Sequence, residues 1–209
     1  MKKGKNSLLP LVILLLLSVN ATLGVLLTRQ SSQALISLIQ SRMLDISNTA
    51  AAMLDGDSLS RLTADDADTE EYQEVMKTLT YFQENIDLKY IYCIRDMGDG
   101  TFAFSVDPTV EDPGEFGAPV VFTDALYQAS LGVPAVDDQP YKDAWGAFYS
   151  AYSPVFTSSG TVGGIVAVDF SAEWYDRQVS RLIVTVICVG VCSIVVGVLS
   201  VAIVARRNR

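Results

Sequence analysis

Two long apolar runs stand at the ends of the chain. Between them, hydrophobic positions repeat first at helical spacing and then at strand spacing. Leu8–Leu27 is broken only by Pro10, Ser18, Asn20, Thr22 and Gly24, and Leu182–Ala205 contains no charge. Twenty helical residues reach about 30 Å, the thickness of a bilayer's hydrocarbon. The two runs therefore predict membrane helices over residues 8–28 and 181–205. Lys2, Lys3 and Lys5 precede the first run, and Arg206, Arg207 and Arg209 follow the second. Cytoplasmic flanks carry such excess positive charge, so residues 1–7 and 206–209 are expected inside the cell and residues 29–180 outside it. The alternative for the first run is a cleaved signal peptide, which the Lys-rich start, Leu11–Leu17 and Val19-Asn20-Ala21 also fit. The apolar run continues six residues past Ala21, which favours a retained helix.

Between the runs, Ile36, Ile39, Met43, Ile46, Ala50 and Met53 are spaced 3, 4, 3, 4 and 3 apart. This predicts a helix over Arg29–Leu54, continuing from the first membrane helix because no Pro or Gly follows Gly24. Its stripe fits a parallel stalk in a homodimer or a face packed on a sheet, the second favoured for the distal half. Asp55-Gly56-Asp57 is expected to stop it. Asp65–Glu71 lacks EF-hand spacing and reads as a helix start, with Asp68 or Thr69 as N-cap. Tyr72, Val75, Met76, Leu79, Phe82 and Ile86 then share one helical face.

Strand patterns follow. Leu88–Arg95 and Thr101–Asp107 flank a loop over Asp96–Gly100, and Trp145–Phe156 and Thr161–Asp169 flank a turn over Thr157–Gly160. Asp124–Ser130 reads as a short helix, residues 108–118 and Gly132–Pro140 as loops, and Ser171 as the cap of the last helix. The order predicts an α+β fold, an antiparallel sheet with helices to one side.

Composition narrows the chemistry. The chain of 209 residues has no histidine, which excludes histidine-based triads, His–Zn sites and a histidine pH switch. Three cysteines make no disulfide framework. Cys188 and Cys192 lie one turn apart in the second apolar run and Cys93 in a strand, so all three are expected as free thiols. All 24 acids lie between Asp45 and Asp176, and residues 29–181 hold only nine bases, a net charge of −15. Nucleic-acid binders need a clustered cationic face, so that partner is excluded. No Gly-x-Ser-x-Gly elbow, Walker motif or metal-ligand spacing appears, and the expectation is no enzyme, no metal and no cofactor. Two alternatives stay open: an extracytoplasmic enzyme with an unmarked carboxylate pair, and an assembly subunit whose aromatic surface binds another membrane protein.

Four segments carry a resemblance. They are Leu54-Asp55-Gly56-Asp57 after the long helix, Lys89-Tyr90-Ile91-Tyr92 at the start of the sheet, Trp145-Gly146-Ala147-Phe148-Tyr149-Ser150-Ala151-Tyr152-Ser153-Pro154-Val155, and Gly160-Thr161-Val162-Gly163-Gly164-Ile165-Val166-Ala167-Val168-Asp169. With them, residues 29–180 resemble Cache domains. These PAS-like sensors sit outside the cell between two membrane helices of bacterial chemoreceptors, sensor kinases and diguanylate cyclases. The resemblance implies a PAS-like antiparallel sheet with a long N-terminal helix. It also implies a small-molecule pocket on one sheet face and a signal passed through the flanking helices to a cytoplasmic effector. The chain ends at Arg209 without such an effector, so the expectation is a truncated receptor or an input subunit with a separate cytoplasmic signalling partner.

A sensor pocket needs apolar walls and a few convergent polar groups. Strand alternation sets Tyr90 and Tyr92 on one face of their strand, and Trp145 and Tyr149 on the face opposite Tyr152 of theirs; these five are the candidates for hydroxyls, an indole N–H and ring faces. Arg95, with Lys142, is a cationic candidate for a carboxylate ligand. Asp169 resembles the family's acidic residue that holds a ligand amine, and Asp107 is placed for a similar part. The competing readings are core packing for the aromatics, a helix cap for Asp169 and a solvent-facing Arg95. The acidic balance favours an amine, zwitterion or neutral ligand over a dianion. In the second run, Ser193 and Gly197 form a small-xxx-small pair that allows close helix contact.

Overall fold

The computed structural model describes residues 8–207, and the basic flanks at Lys2, Lys3, Lys5 and Arg209 lie outside the described residues. The chain divides into two units, Met1–Ser37 with Asp176–Arg209, and Leu38–Tyr175. Helix α1 spans Leu8–Ala52 and helix α5 spans Ala172–Arg207. In the first unit their apolar side chains are exposed, among them Leu11, Leu14, Val189 and Ile203. Both helices are long and apolar enough to cross a membrane. Ser18, Asn20 and Thr22, the polar residues within the apolar run of α1, bond within the unit. Thr22 Oγ1 donates to the Ser18 carbonyl, Asn20 Nδ2 donates to that of Leu16, and Asn20 Oδ1 accepts from Ser193 Oγ of α5 at 2.6 Å. In a hydrocarbon setting, such self-satisfaction is what lets a polar residue stay in a helix.

The second unit is built on a six-stranded antiparallel sheet. Its strands are β1 (Tyr90–Asp96), β2 (Phe102–Phe104), β3 (Ala135–Val136), β4 (Tyr141–Lys142), β5 (Ala147–Phe156) and β6 (Val162–Ser171). Their order is β2-β1-β6-β5-β3, with β4 also paired to β5. The long strands β5 and β6 are buried along almost their whole length. Side-chain alternation gives the sheet two covered faces.

One face packs against α1. Ile39, Met43, Ile46 and Ala50 are buried there, while Met53, the last residue of the expected stripe, is exposed. Ser47 Oγ lies 2.7 Å from Ser153 Oγ of β5, and the Arg42 guanidinium sits 5.8 Å from the centre of the Phe170 ring. Helix α3 (Glu70–Asn85) buries Val75, Leu79 and Phe82, with Thr69 as N-cap accepting from the Tyr72 N–H. The opposite face carries Tyr92, Ile94, Phe104, Tyr152, Ile165 and Ala167, covered by Ala125, Leu126 and Ala129 of helix α4 (Asp124–Ser130). The helices therefore do not all lie to one side, because the apolar stripe of α4 caps the face that α1 leaves open.

Two local expectations need correction. Helix α1 ends at Ala52, and Asp55 is not its stop but the N-cap of helix α2 (Gly56–Arg61), accepting from the Asp57 and Ser58 N–H groups. Gly56 is required for close approach rather than for a left-handed turn. A Cβ there would sit 2.4 Å from the Phe156 carbonyl oxygen, and one on Gly163 would sit 2.3 Å from the Gly56 carbonyl oxygen. The last helix starts at Ala172 directly after β6, which leaves Ser171 at the expected cap position. The three cysteines are free thiols, and burial pushes the Cys93 thiol well above its ordinary value. Since neither Gly163 nor Gly56 can move without parting α2 from the sheet, Gly163→Ala is expected to cost about 1–3 kcal/mol by overpacking. Thermal or denaturant unfolding of the variant measures it.

Candidate functional site

Strand register builds the floor of the site. Asp169 of β6 stands opposite Tyr90 of β1 on one side and Ser150 of β5 on the other. Two residues along β6, the small Ala167 stands between Tyr92 and Tyr152. Ser150 Oγ donates to Asp169 Oδ1 and lies 3.1 Å from the Tyr141 hydroxyl, itself 3.5 Å from that of Tyr92. A chain of hydroxyls thus ends on a carboxyl that is 2 % exposed.

Two loops form the walls. Asp107 fastens the loop after β2 by accepting from the Thr109 N–H at 2.9 Å and the Gly114 N–H at 2.7 Å. Gly114 lies so close to Phe104 that a Cβ would meet the ring at 2.5 Å. Asp112 has a left-handed φ of 56°, a conformation that Asp tolerates better than most residues. Its carbonyl accepts from Trp145 Nε1 at 2.8 Å, which ties the loop to the start of β5. Asp143 turns the chain into that strand by accepting from the Trp145 and Gly146 N–H groups.

Between floor and walls lies a pocket lined by Tyr90, Tyr92, Phe104, Asp107, Thr109, Asp112, Gly114, Asp143, Trp145 and Asp169, with a cavity volume of about 20 Å³. That is room for one water molecule. Thr109 Oγ1 is buried and has no hydrogen-bond partner among the described residues. Burial raises the Asp169 carboxyl to about 8, against hydrogen bonds from Ser150 and Tyr92, with Asp143 and Asp137 adding like charge. Asp137 is raised to about 6 by burial, although the Ser150 N–H and the Tyr152 hydroxyl donate to it. Burial also holds the Tyr92, Tyr141 and Tyr152 hydroxyls above the usual phenol range, so they serve as neutral donors.

Of the residues expected from the sequence, Tyr90, Tyr92, Asp107, Trp145 and Asp169 come together in this pocket. Tyr152 shares the face but lies behind the wall, bonded to Asp137 at 3.4 Å. Tyr149 does not join them. It points to the other face and stacks on Tyr175 with ring centres 4.1 Å apart, because it is one residue out of phase with Tyr152. Arg95 is also elsewhere, donating to the Ser60 carbonyl at 3.2 Å and lying over the Phe116 ring. Lys142 is exposed on the short β4. Asp169 caps no helix; its carboxyl is turned to Ser150. The residues missed were Phe104, Thr109, Asp112, Gly114 and Asp143. Only Asp143 left a signal, as an Asx-turn residue two positions before Trp145.

No protein-family model matches the chain, and no curated protein matches it. Solved structures do. The ligand-binding domain of the Campylobacter jejuni chemoreceptor Tlp3 in complex with L-valine is similar at a TM-score of 0.51 and 15% identity, over 86% of this chain and 68% of that one. The same sensory domain with isoleucine bound gives 0.50 and 14%, over 86% and 68%. A further structure of the Tlp3 sensory domain gives 0.51 and 16%, over 83% and 67%. The chain therefore has the fold of chemoreceptor sensory domains, the PAS-like Cache arrangement of a long N-terminal helix packed on an antiparallel sheet. These neighbours are sensor domains rather than enzymes.

The two raised carboxyls set a pH dependence. The folded values near 8 and 6 exceed the unfolded value of about 3.9. The folded state therefore keeps protons that the unfolded chain gives up. This stabilisation is complete below the unfolded value and is lost as pH rises toward 8. The exposed Asp57, Asp66 and Asp99 are lowered instead, by side-chain hydrogen bonds from Ser158, Thr63 and Thr101, and so act only at more acid pH. Without added ligand, the melting temperature is expected to fall between pH 5 and pH 8. Asp169→Asn is expected to flatten most of that slope.

Proposed function

We propose that the protein is a membrane-anchored extracytoplasmic sensor, with residues 8–28 and 181–205 crossing the membrane, both termini cytoplasmic and residues 29–180 outside. A small molecule enters the pocket above Asp169, and its binding is passed to a cytoplasmic signalling module of the kind chemoreceptors, sensor kinases or diguanylate cyclases use. The protein itself catalyses nothing in this reading. Tyr90, Tyr92, Asp107, Trp145 and Asp169 are the ligand-contacting residues from the sequence, joined by Phe104, Thr109 and Asp143.

One observation carries the proposal. The buried carboxyl on the pocket floor and the first residue of α5 are only three positions apart on one continuous segment. Phe170, between them, packs against Trp174 with ring centres 5.3 Å apart. A ligand that draws Asp169 upward or pushes it down therefore acts on the root of α5 without an intervening hinge. Differential binding of a few kcal/mol between two states is enough to bias them. The neighbouring chemoreceptor domain, with L-valine or isoleucine bound, supports a small-molecule site on this fold.

Two measurements check this. A panel of small molecules added to the full chain in lipid nanodiscs should include one that raises the melting temperature, because a ligand at a hundred times its Kd stabilises by about 2.7 kcal/mol. A panel covering amines, amino acids, organic acids and sugars that leaves the melting temperature unmoved counts against the sensor. For topology, Gln128→Cys on the exposed side of α4 should react with a membrane-impermeant maleimide in intact cells. Labelling only after lysis contradicts the proposed orientation.

A further inference from the structure

The outer side of α4 and the turn after it leave apolar side chains in water. Phe122, Leu131, Val133 and Phe156 each keep more than half of their surface exposed. They belong to one patch. The Phe122 and Tyr127 rings lie 6.1 Å apart between centres, Leu131 stands one turn beyond Tyr127 and donates its N–H to the Tyr127 carbonyl, and a Cβ on Gly132 would sit 3.4 Å from the Phe156 ring. Elsewhere in the second unit the exposed large apolar residues stand singly, as Leu38 on α1, Tyr81 on α3, and Met97 and Val110 in separate loops do. Single exposed residues are ordinary, whereas a contiguous patch with a polar rim is the signature of an interaction surface.

The rim is of one sign. Beginning at Phe122, a groove of about 510 Å³ runs between α4 and β3, and every charged residue that lines it is an Asp. Asp124 and Asp138 are exposed on its two sides. Asp137 is turned inward to Ser150 and Tyr152 and adds nothing to the rim. Asp138 accepts from the Gln40 amide at 3.5 Å, a neutral donor that leaves its charge in place. From Asp96 to Tyr141 the chain carries nine acidic residues and no base.

We propose that the α4 patch docks a separate protein whose surface presents an apolar anchor ringed by Lys or Arg. The anchor covers Phe122, Leu131 and Phe156, and the cations meet Asp124 and Asp138. Such pairing of a desolvated apolar centre with a charged rim is how interfaces divide affinity from specificity. Other occupants fit worse. A second copy brings like charge to the same rim, since the unit Leu38–Tyr175 holds 23 acidic and six basic residues. Anionic lipid headgroups, which attract basic segments, are repelled for the same reason. An added strand is disfavoured because β3 has only two residues and Pro134 and Pro140 flank it, both being devices that close a sheet edge to pairing. Recognition therefore runs through side chains. None of the patch residues lines the pocket above Asp169, so the docking surface stands apart from the sensor reading.

Site-specific photo-crosslinking of the full chain in intact cells of its native host tests the proposal. The probe is p-benzoylphenylalanine in place of Leu131, with the same probe in place of Val110, exposed and off the patch, as the control. Irradiation should give one discrete adduct from position 131 and not from position 110. Mass spectrometry of that adduct should place the crosslink on another protein, at an apolar residue with Lys or Arg beside it on that protein's surface. Asp138→Lys should lower the yield about tenfold through like charge, and Phe122→Ser should do so through loss of the apolar centre. Both variants should keep the parent's melting temperature. Should Phe122→Ser lower it, Val133→Ser takes its place. An adduct with a second copy of this chain or with lipid would overturn the proposal. So would the absence of any discrete adduct, or an adduct whose yield ignores Asp138→Lys. The melting-temperature panel for small molecules decides the sensor reading separately.

Discussion

The antiparallel register of β1, β6 and β5 sets Tyr90, Asp169 and Ser150 in one row across the centre of the sheet, and the pocket exists because of it. A slip of one residue in β6 would turn Asp169 to the face covered by α1 and bring Val168 into the pocket. Two features pin the register. The Thr157–Gly160 turn closes β5 onto β6, with Thr157 N–H donating to the Thr161 carbonyl at 2.8 Å and Gly160 at a left-handed φ of 83°. The backbone-to-backbone approach of Gly56 and Gly163 then locks α2 against the start of β6. Carboxyl burial is costly unless the group is hydrogen-bonded or neutral, and Asp169 is both bonded and inclined to hold its proton.

In the sensor reading, that cost is what makes the site sensitive. A carboxyl in water scarcely notices a nearby charge, whereas one buried beneath aromatic rings interacts through a low dielectric. In the same reading the interaction sits three residues before α5 with no loop between, so its effect reaches the root of that helix. The opposite face of β5 contributes as well: Tyr149 stacks on Tyr175 in the first turn of α5. The two faces of the sheet thus meet at the root of one helix, the row of Tyr90, Asp169 and Ser150 above and the aromatic stack below.

Much of the fold was legible because burial here follows simple periods. The α1 stripe and α3 face repeat at helical spacing, β5 and β6 are long and rich in β-branched or aromatic residues, and Thr69, one of the two expected cap residues, caps α3. The two-residue strands β3 and β4 left no period to read. Asp55-Gly56 looked like a stop because a glycine after a helix commonly is one; that it instead admits the Phe156 carbonyl depends on a partner a hundred residues away. The candidate site divides in the same way. Residues on strands were identified from alternation and aromatic chemistry, and the same parity rule separates Tyr149 from Tyr152. Asp112, Thr109 and Gly114 lie on a loop whose course is set by the long-range bonds of Asp107 and Trp145, and no local pattern marks them.

Trp145 offers the most direct test that the pocket beneath the loop is the ligand site. The chain has two tryptophans, and Trp174→Phe leaves Trp145 as the only indole. Its emission should shift and saturate as a small molecule that raises the melting temperature of the chain is added, with the same midpoint as binding. Unchanged Trp145 emission while that molecule binds would place the ligand elsewhere and contradict the site described.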